Sequence, residues 1–193
     1  MHERLRAFTA SVAAAVDAGP GEPEILARVQ AAMRELVASD DWLAPAFAVP
    51  DPRFYQQYLL HCDPQLRFSV VSFVWGPGQK TPVHDHTVWG VIGMLRGAEV
   101  GVPYRLVDGL PQPDGEGVVL QPGDVDLVSP SIGDIHAVRN LSDRDLAISI
   151  HCYGADIGRV QRHVFTPGSR EIKPFVSGYA QPRVAPAAAQ GER

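Results

Sequence analysis

Seven histidines are spread through the 193 residues, and two of them, His84 and His86, lie one residue apart in TPVHDHTVWGVIG, residues 81–93. Successive side chains of a strand point to opposite faces, so this spacing puts both imidazoles on one face and Asp85 on the other. The segment that follows is almost wholly apolar and bound for a core. Two imidazoles side by side at the edge of a core suit a metal ion. An isolated pair of this kind is more often two ordinary barrel histidines, so other residues must decide.

A second cluster lies downstream, where Gly123, Pro130, Gly133, His136 and Asn140 set another histidine among turn residues. In AISIHCYG, Ser149, His151 and Tyr153 alternate and share one strand face, while Cys152 points the other way. Serine, histidine and tyrosine in a row can form a hydrogen-bonded relay that fixes an imidazole tautomer and aims a phenol. His151 therefore reads as a relay group rather than a metal ligand. Phe73, Trp75 and Trp89 belong to the core by default and to the pocket wall as the alternative. His2, His61 and His163 have no motif support and read as solvent or packing histidines.

Three zones must position these groups. Residues 1–66 read as mainly helical. MHERLRAFTASVAAAV is an amphipathic helix without the apolar stretch and cleavage site of a signal peptide. From 22 to 38, Ile25, Leu26, Val29, Met33, Leu36 and Val37 recur at the spacing of one helix face, with Pro23 suited to the first turn. A shorter helix is expected over DPRFYQQYLLH, capped by Asp51, which puts Gln57 on a helix face. Residues 67–165 hold short β-rich runs separated by Gly, Pro, Asp and Asn, the texture of an all-β barrel or jelly roll. Residues 166–193 read as an extension ending in a loose tail, PRVAPAAAQGER, and the whole chain, 1–193, as one domain.

Composition narrows the function classes. A net charge of -5 argues against a nucleic-acid surface, and no apolar run approaches the length of a membrane-spanning helix. Two cysteines, Cys62 and Cys152, are too few for a disulfide framework and point to free thiols in a reducing cytoplasm. No feature specifies an oligomeric state.

The spacing Gly78-x5-His84-x-His86-x3-Gly90-x6-Gly97 and the later Gly123, Pro130, Gly133, His136 and Asn140 resemble the two motifs of the cupin superfamily. The second is slightly stretched, with six and two intervening residues where the pattern has five and one. The resemblance implies a cupin barrel (a double-stranded β-helix) under an N-terminal helical cover, with His84, His86 and His136 as ligands of one metal. Gly90 stands where most cupins carry a glutamate ligand, so a metal held here keeps its full charge and open positions. Imidazole suits iron, zinc, copper and nickel alike.

The Ser149-x-His151-x-Tyr153 triplet, together with HDHT and the later histidine, resembles the cysteine dioxygenase family over roughly Phe54 to Tyr153. That resemblance implies one Fe(II) per chain, dioxygen and a small thiol carboxylate as reactants, and a sulfinic acid as product. Tyr153 would hydrogen-bond the substrate or oxygen, held by His151 and Ser149. The animal-type enzymes crosslink a cysteine to this tyrosine; the corresponding position is Gly90, so no crosslink is expected. YQQYLL (55–60) resembles the segment bearing an arginine that clamps the substrate carboxylate, and Gln57 replaces it here. The glutamine form resembles the bacterial branch associated with 3-mercaptopropionate, which is favoured over L-cysteine. Arg162, near Arg159, is either a surface charge or the replacement cation. Two other readings stay open: a non-catalytic metal-bound cupin that senses small molecules, and a cupin dioxygenase or isomerase using another metal.

Overall fold

The computed structural model describes residues 1–19 and 21–182. Two helices, α1 (Glu3–Asp17) and α2 (Glu22–Val37), come first. Among the described residues twelve strands follow: β1 (Gln56–Cys62), β2 (Ser69–Trp75), β3 (Val83–His84), β4 (Gly90–Arg96), β5 (Glu99–Val107), β6 (Leu110–Pro113), β7 (Val118–Leu120), β8 (Val125–Val128), β9 (His136–Asn140), β10 (Ala147–Tyr153), β11 (Arg162–Phe165) and β12 (Ile172–Phe175). One sheet has the order β1-β2-β10-β4-β8; the other runs β12-β11-β3-β9-β5-β6, with β7 paired to β5. All the strand pairings between these elements are antiparallel. The two sheets form the expected double-stranded β-helix, and no helix among the described residues is long and apolar enough to cross a membrane.

The helical cover follows from its apolar stripe. Leu26, Val29, Met33, Leu36 and Val37 of α2 are buried together with Leu5, Phe8 and Val12 of α1. Burial of each large side chain contributes roughly 1.5–3 kcal/mol relative to exposure. These residues pack on the outer face of the first sheet, against Val70, Val74, Val91, Ile148, Ile150 and Cys152. Gly93 of β4 permits the approach: a Cβ there would stand 2.6 Å from Met33 Cγ.

The expected helix over DPRFYQQYLLH does not form. Asp51 Oδ1 accepts from the Arg53 backbone N–H in a local turn, and Gln56–Cys62 pairs with β2 from Gln56↔Val74 to Cys62↔Ser69. Glutamine and leucine tolerate a helix well, but ladder bonds and burial of Tyr58 against the cover outweigh that weak preference. Helical structure thus ends with a 3-10 turn at Pro45–Phe47, well before residue 66. The extension after 166 is also more ordered than expected: β12 pairs with β11, and Ala180 donates its N–H to the Gln57 carbonyl. All but the first residue of the expected tail lies outside the described residues.

Candidate metal centre and its hydrogen-bond relay

Strand pairing brings the histidines together. His84 of β3 is directly opposite His136 of β9, and His86 follows two residues on, just before Thr87, which takes a positive φ of 61°. Such a conformation is costly for threonine and must be held from outside. Asp134 does this, accepting from the backbone N–H of His86 at 3.0 Å and of Thr87 at 2.8 Å. The three ring centroids are 4.9 Å apart in every pair. All three side chains are buried, with their ligand atoms within 4.8 Å of one another.

The outward nitrogens are already engaged. His84 Nδ1 lies 3.0 Å from the Pro82 carbonyl, and His86 Nδ1 lies 3.0 Å from Asp134 Oδ1. A carbonyl and a carboxylate only accept, so each Nδ1 carries the proton and each Nε2 keeps its lone pair for a metal. Burial, then the neighbouring His86, pushes His84 down to about 3; burial, then His86 and His84, holds His136 well below the usual imidazole range. Burial would raise the Asp134 carboxyl, but hydrogen bonds from His86 and Thr87 outweigh it and hold the group below its ordinary value. This donor set fits a divalent cation.

Beside the cluster lies the relay. Ser149 Oγ is 2.9 Å from His151 Nε2, and His151 Nδ1 is 2.8 Å from the Tyr153 hydroxyl. Tyr153 stacks on His86 at 5.3 Å, so the relay ends against one of the three rings. Burial, followed by His86 and His84, keeps the His151 ring well below its usual pKa, and burial pushes the Tyr153 phenol up. Phe73 covers the His151 ring at 4.2 Å, and the Trp75 indole N–H donates to Ser149 at 3.1 Å.

Gln57 and Arg162 share a partner in Ser177, and Gln57 is not on a helix. Gln57 is buried on β1, and its amide donates to Ser177 Oγ and to the Gly178 carbonyl, both at 3.2 Å. Arg162, only 3% exposed, donates from Nη2 to the same Ser177 Oγ at 2.7 Å and stacks over Phe175. Its Nε is buried and has no hydrogen-bond partner. The guanidinium charge is felt at His84, His151 and Tyr153.

A family model described as cysteine dioxygenase type I matches residues 23–164. The chain belongs to that family. Cysteine dioxygenase type 1 of Danio rerio is 29% identical over 118 residues, covering 58% of this chain and 56% of that protein. The chain therefore spans little more than half the length of the curated relative it matches. Among solved structures, a double-stranded β-helix domain protein of Klebsiella pneumoniae shares 15% identity, with TM-score 0.50 over 64% of this chain and 90% of its own. That likeness shows the fold alone. A cupin superfamily protein of Desulfitobacterium hafniense is also similar, at 16% identity and TM-score 0.45 over 59% of this chain and 90% of that one.

Within this cysteine dioxygenase family framework several neighbours of the site carry no motif. Glu99 accepts from Ser149, Asp134 orients His86, and Ser177 joins Gln57 to Arg162. Only the Gly-Asp pair before Ile135 and His136 offered a signal, since a short acceptor next to a ligand is a common partner for one. His163 is not a bare packing residue either, because its ring and backbone N–H both meet Asp85. Gly90 lies under Tyr153, where a Cβ would stand 2.9 Å from the phenol ring. Both cysteines are free thiols; Cys152 packs on the opposite face of β10, and Cys62 closes β1.

Proposed function

We propose that the protein is a mononuclear non-haem Fe(II) thiol dioxygenase, acting on a small thiol carboxylate, with 3-mercaptopropionate favoured over L-cysteine. The observation that carries this reading is the packing of a Ser149–His151–Tyr153 relay against a buried triangle of His84, His86 and His136. Those three histidines would hold one iron ion, His84 and His86 through their Nε2 atoms. When bound, the ion supplies Lewis acidity toward a thiol and redox access to dioxygen. The overall change is balanced as RSH + O2 giving RSO2H, with sulfur oxidised and both oxygen atoms retained.

The chain's own residues position and enclose. Tyr153, tied to His151, holds its hydroxyl in one place beside His86, where it meets a substrate or oxygen atom in a fixed near-attack geometry. Phe73 and Trp75 wall off water on the far side of the relay. The unpartnered Arg162 Nε supports a carboxylate anchor, because a buried guanidinium donor left unmatched is costly and a carboxylate satisfies it with charge. Gln57 offers only a neutral amide that helps fix Ser177. The α-ammonium of cysteine would meet like charge near Arg162, whereas 3-mercaptopropionate brings only thiol and carboxylate. Two free cysteines suit a reducing, cytoplasmic setting.

An oxygen-electrode panel of small thiols with the ferrous-loaded protein tests the reading. Stoichiometric oxygen uptake with sulfinate formation is expected, with kcat/KM for 3-mercaptopropionate about tenfold above that for L-cysteine. A higher kcat/KM for cysteine would overturn the substrate assignment. Thiol binding without oxygen uptake would make the protein a sensor, and activity only with nickel or manganese would replace the iron.

A further inference from the structure

The relay does not end at Ser149. Its hydroxyl lies 2.8 Å from Oε2 of Glu99, a fully enclosed carboxyl at the start of β5 that no motif marks and the reaction has not yet used. Counting protons around Ser149 fixes what this contact does. The hydroxyl has one proton and two lone pairs. The Trp75 indole can only donate, so it takes one lone pair. Glu99 and His151 Nε2 are left to share the remaining lone pair and the single proton.

With Glu99 ionised, Ser149 must give it the proton and accept from His151 Nε2–H. The neutral ring then has a bare Nδ1, and Tyr153 donates its O–H inward to that nitrogen. With Glu99 protonated, every bond can reverse. Glu99 donates to Ser149, Ser149 donates to His151 Nε2, and His151 Nδ1–H donates to the phenol oxygen. The Tyr153 proton is then released toward the metal triangle. No bond between heavy atoms forms or breaks, and each group keeps its share of protons apart from the one added at Glu99.

We infer that Glu99 is a positioning residue that sets the direction of the hydrogen-bond chain, and so decides whether Tyr153 offers the site a proton or a lone pair. The inference rests on the proposed function only for its catalytic consequence; the proton count holds in any chain with these contacts. Both states are accessible near neutrality, because burial pushes the Glu99 carboxyl up to about 7 against the opposing hydrogen bond of Ser149. Asp126 of β8 faces it and pushes in the same direction. Tyr153 of β10 is the other titratable neighbour that senses its charge, while Asn140 of β9 and Leu120 of β7 across the ladder are uncharged.

The test uses the full-length chain loaded with zinc as a diamagnetic ion, labelled with 15N-histidine and 13C-glutamate. NMR should show the two His151 nitrogens exchanging pyrrole and pyridine character between about pH 5.5 and 8.5, in step with the Glu99 carboxyl. In Glu99→Gln the exchange should vanish. His151 keeping one tautomer while Glu99 titrates would overturn the inference, as would an unchanged exchange in Glu99→Gln. Should that variant not fold, co-titration in the wild type decides alone. In the ferrous protein, kcat should show a limb near neutrality that Glu99→Gln removes, and an unaltered profile would count against the inference. A clear tautomer exchange in a protein that oxidises no thiol would instead defeat the proposed function and leave the role of Glu99 standing.

Discussion

The two faces of β10 are equally inaccessible to water and chemically opposite. Ile148, Ile150 and Cys152 face the helical cover within an apolar cluster, where Ser72, cross-strand from Ile150, is tied to the Phe47 carbonyl. Ser149, His151 and Tyr153 face the barrel interior, where they are hydrogen-bonded to one another and to Glu99. A strand alternates by geometry alone, so one seven-residue segment separates an apolar packing surface from a hydrogen-bonded one by the thickness of its backbone. Burial does different work on the two sides. On the outer face it simply removes apolar area from water. On the inner face it lowers the local dielectric, which strengthens matched hydrogen bonds and displaces pKa values. Changes to the inner face should therefore cost activity with little stability, and changes to the outer face the reverse.

The sharpest way to break this contrast is at the inner site. His136→Ala removes one of three converging nitrogens, and the two that remain cannot hold an ion in a closed triangle. Metal retention and thiol-dependent oxygen uptake should both be lost, by roughly 10³-fold or more in kcat/KM, as metal analysis and an oxygen electrode would report. Unchanged metal content would remove His136 from the ligand set. On the outer face, Ile150→Ala should cost about 2–5 kcal/mol of unfolding free energy by denaturant titration, through lost transfer energy and a residual cavity. Turnover per folded molecule should stay near that of the wild type. A large fall in kcat from this variant would show that the faces are not separable.

The pH dependence should belong to the inner face as well. Glu99 has a folded pKa of about 7, above the ordinary glutamate range, because burial disfavours its charge. Between the unfolded and folded values the native state binds the extra proton, so stability is fully present below about pH 4.5 and falls as pH rises toward 7. One group can contribute a slope of at most about 1.4 kcal/mol per pH unit in that window. Denaturant titrations at intervals across it should show this slope in the wild type and a flatter one in Glu99→Gln. Parallel curves would mean that Glu99 does not carry it.

Legibility in the sequence followed the same division. His84, His86 and His136, with Ser149, His151 and Tyr153, stood out because turn glycines and period-two alternation fix their direction before any tertiary contact is known. The α2 stripe was equally plain. β1 was not, since YQQYLL suits a helix locally and becomes a strand only through pairing with β2. Glu99 and Ser177 were invisible for a related reason, and Asp134 showed only as a short acceptor near His136. Each is a single polar residue whose partner comes from another strand or a distant loop, and no spacing encodes such a meeting. Gln57 and Arg162 were visible as residue types, but their shared contact with Ser177 needed the ordered extension after β12.

Cys152 gives the mildest test and separates the faces by one atom. It lies between His151 and Tyr153 in sequence, yet its sulfur sits among Ile148, Ile150 and the cover, where burial pushes the thiol pKa up and leaves it unreactive. Cys152→Ala should cost about 1 kcal/mol, the loss of one small buried group, and leave kcat and KM unaltered. Cys152→Ser should cost more, about 1–3 kcal/mol, because its hydroxyl would be a better hydrogen-bonding group placed where the surroundings are apolar. A thiol reagent should label half-buried Cys62 in the native protein and reach Cys152 only on unfolding. If Cys152→Ala alone changed the pH profile of turnover, the backbone would be transmitting between faces, and the separation drawn across β10 would fail at its thinnest point.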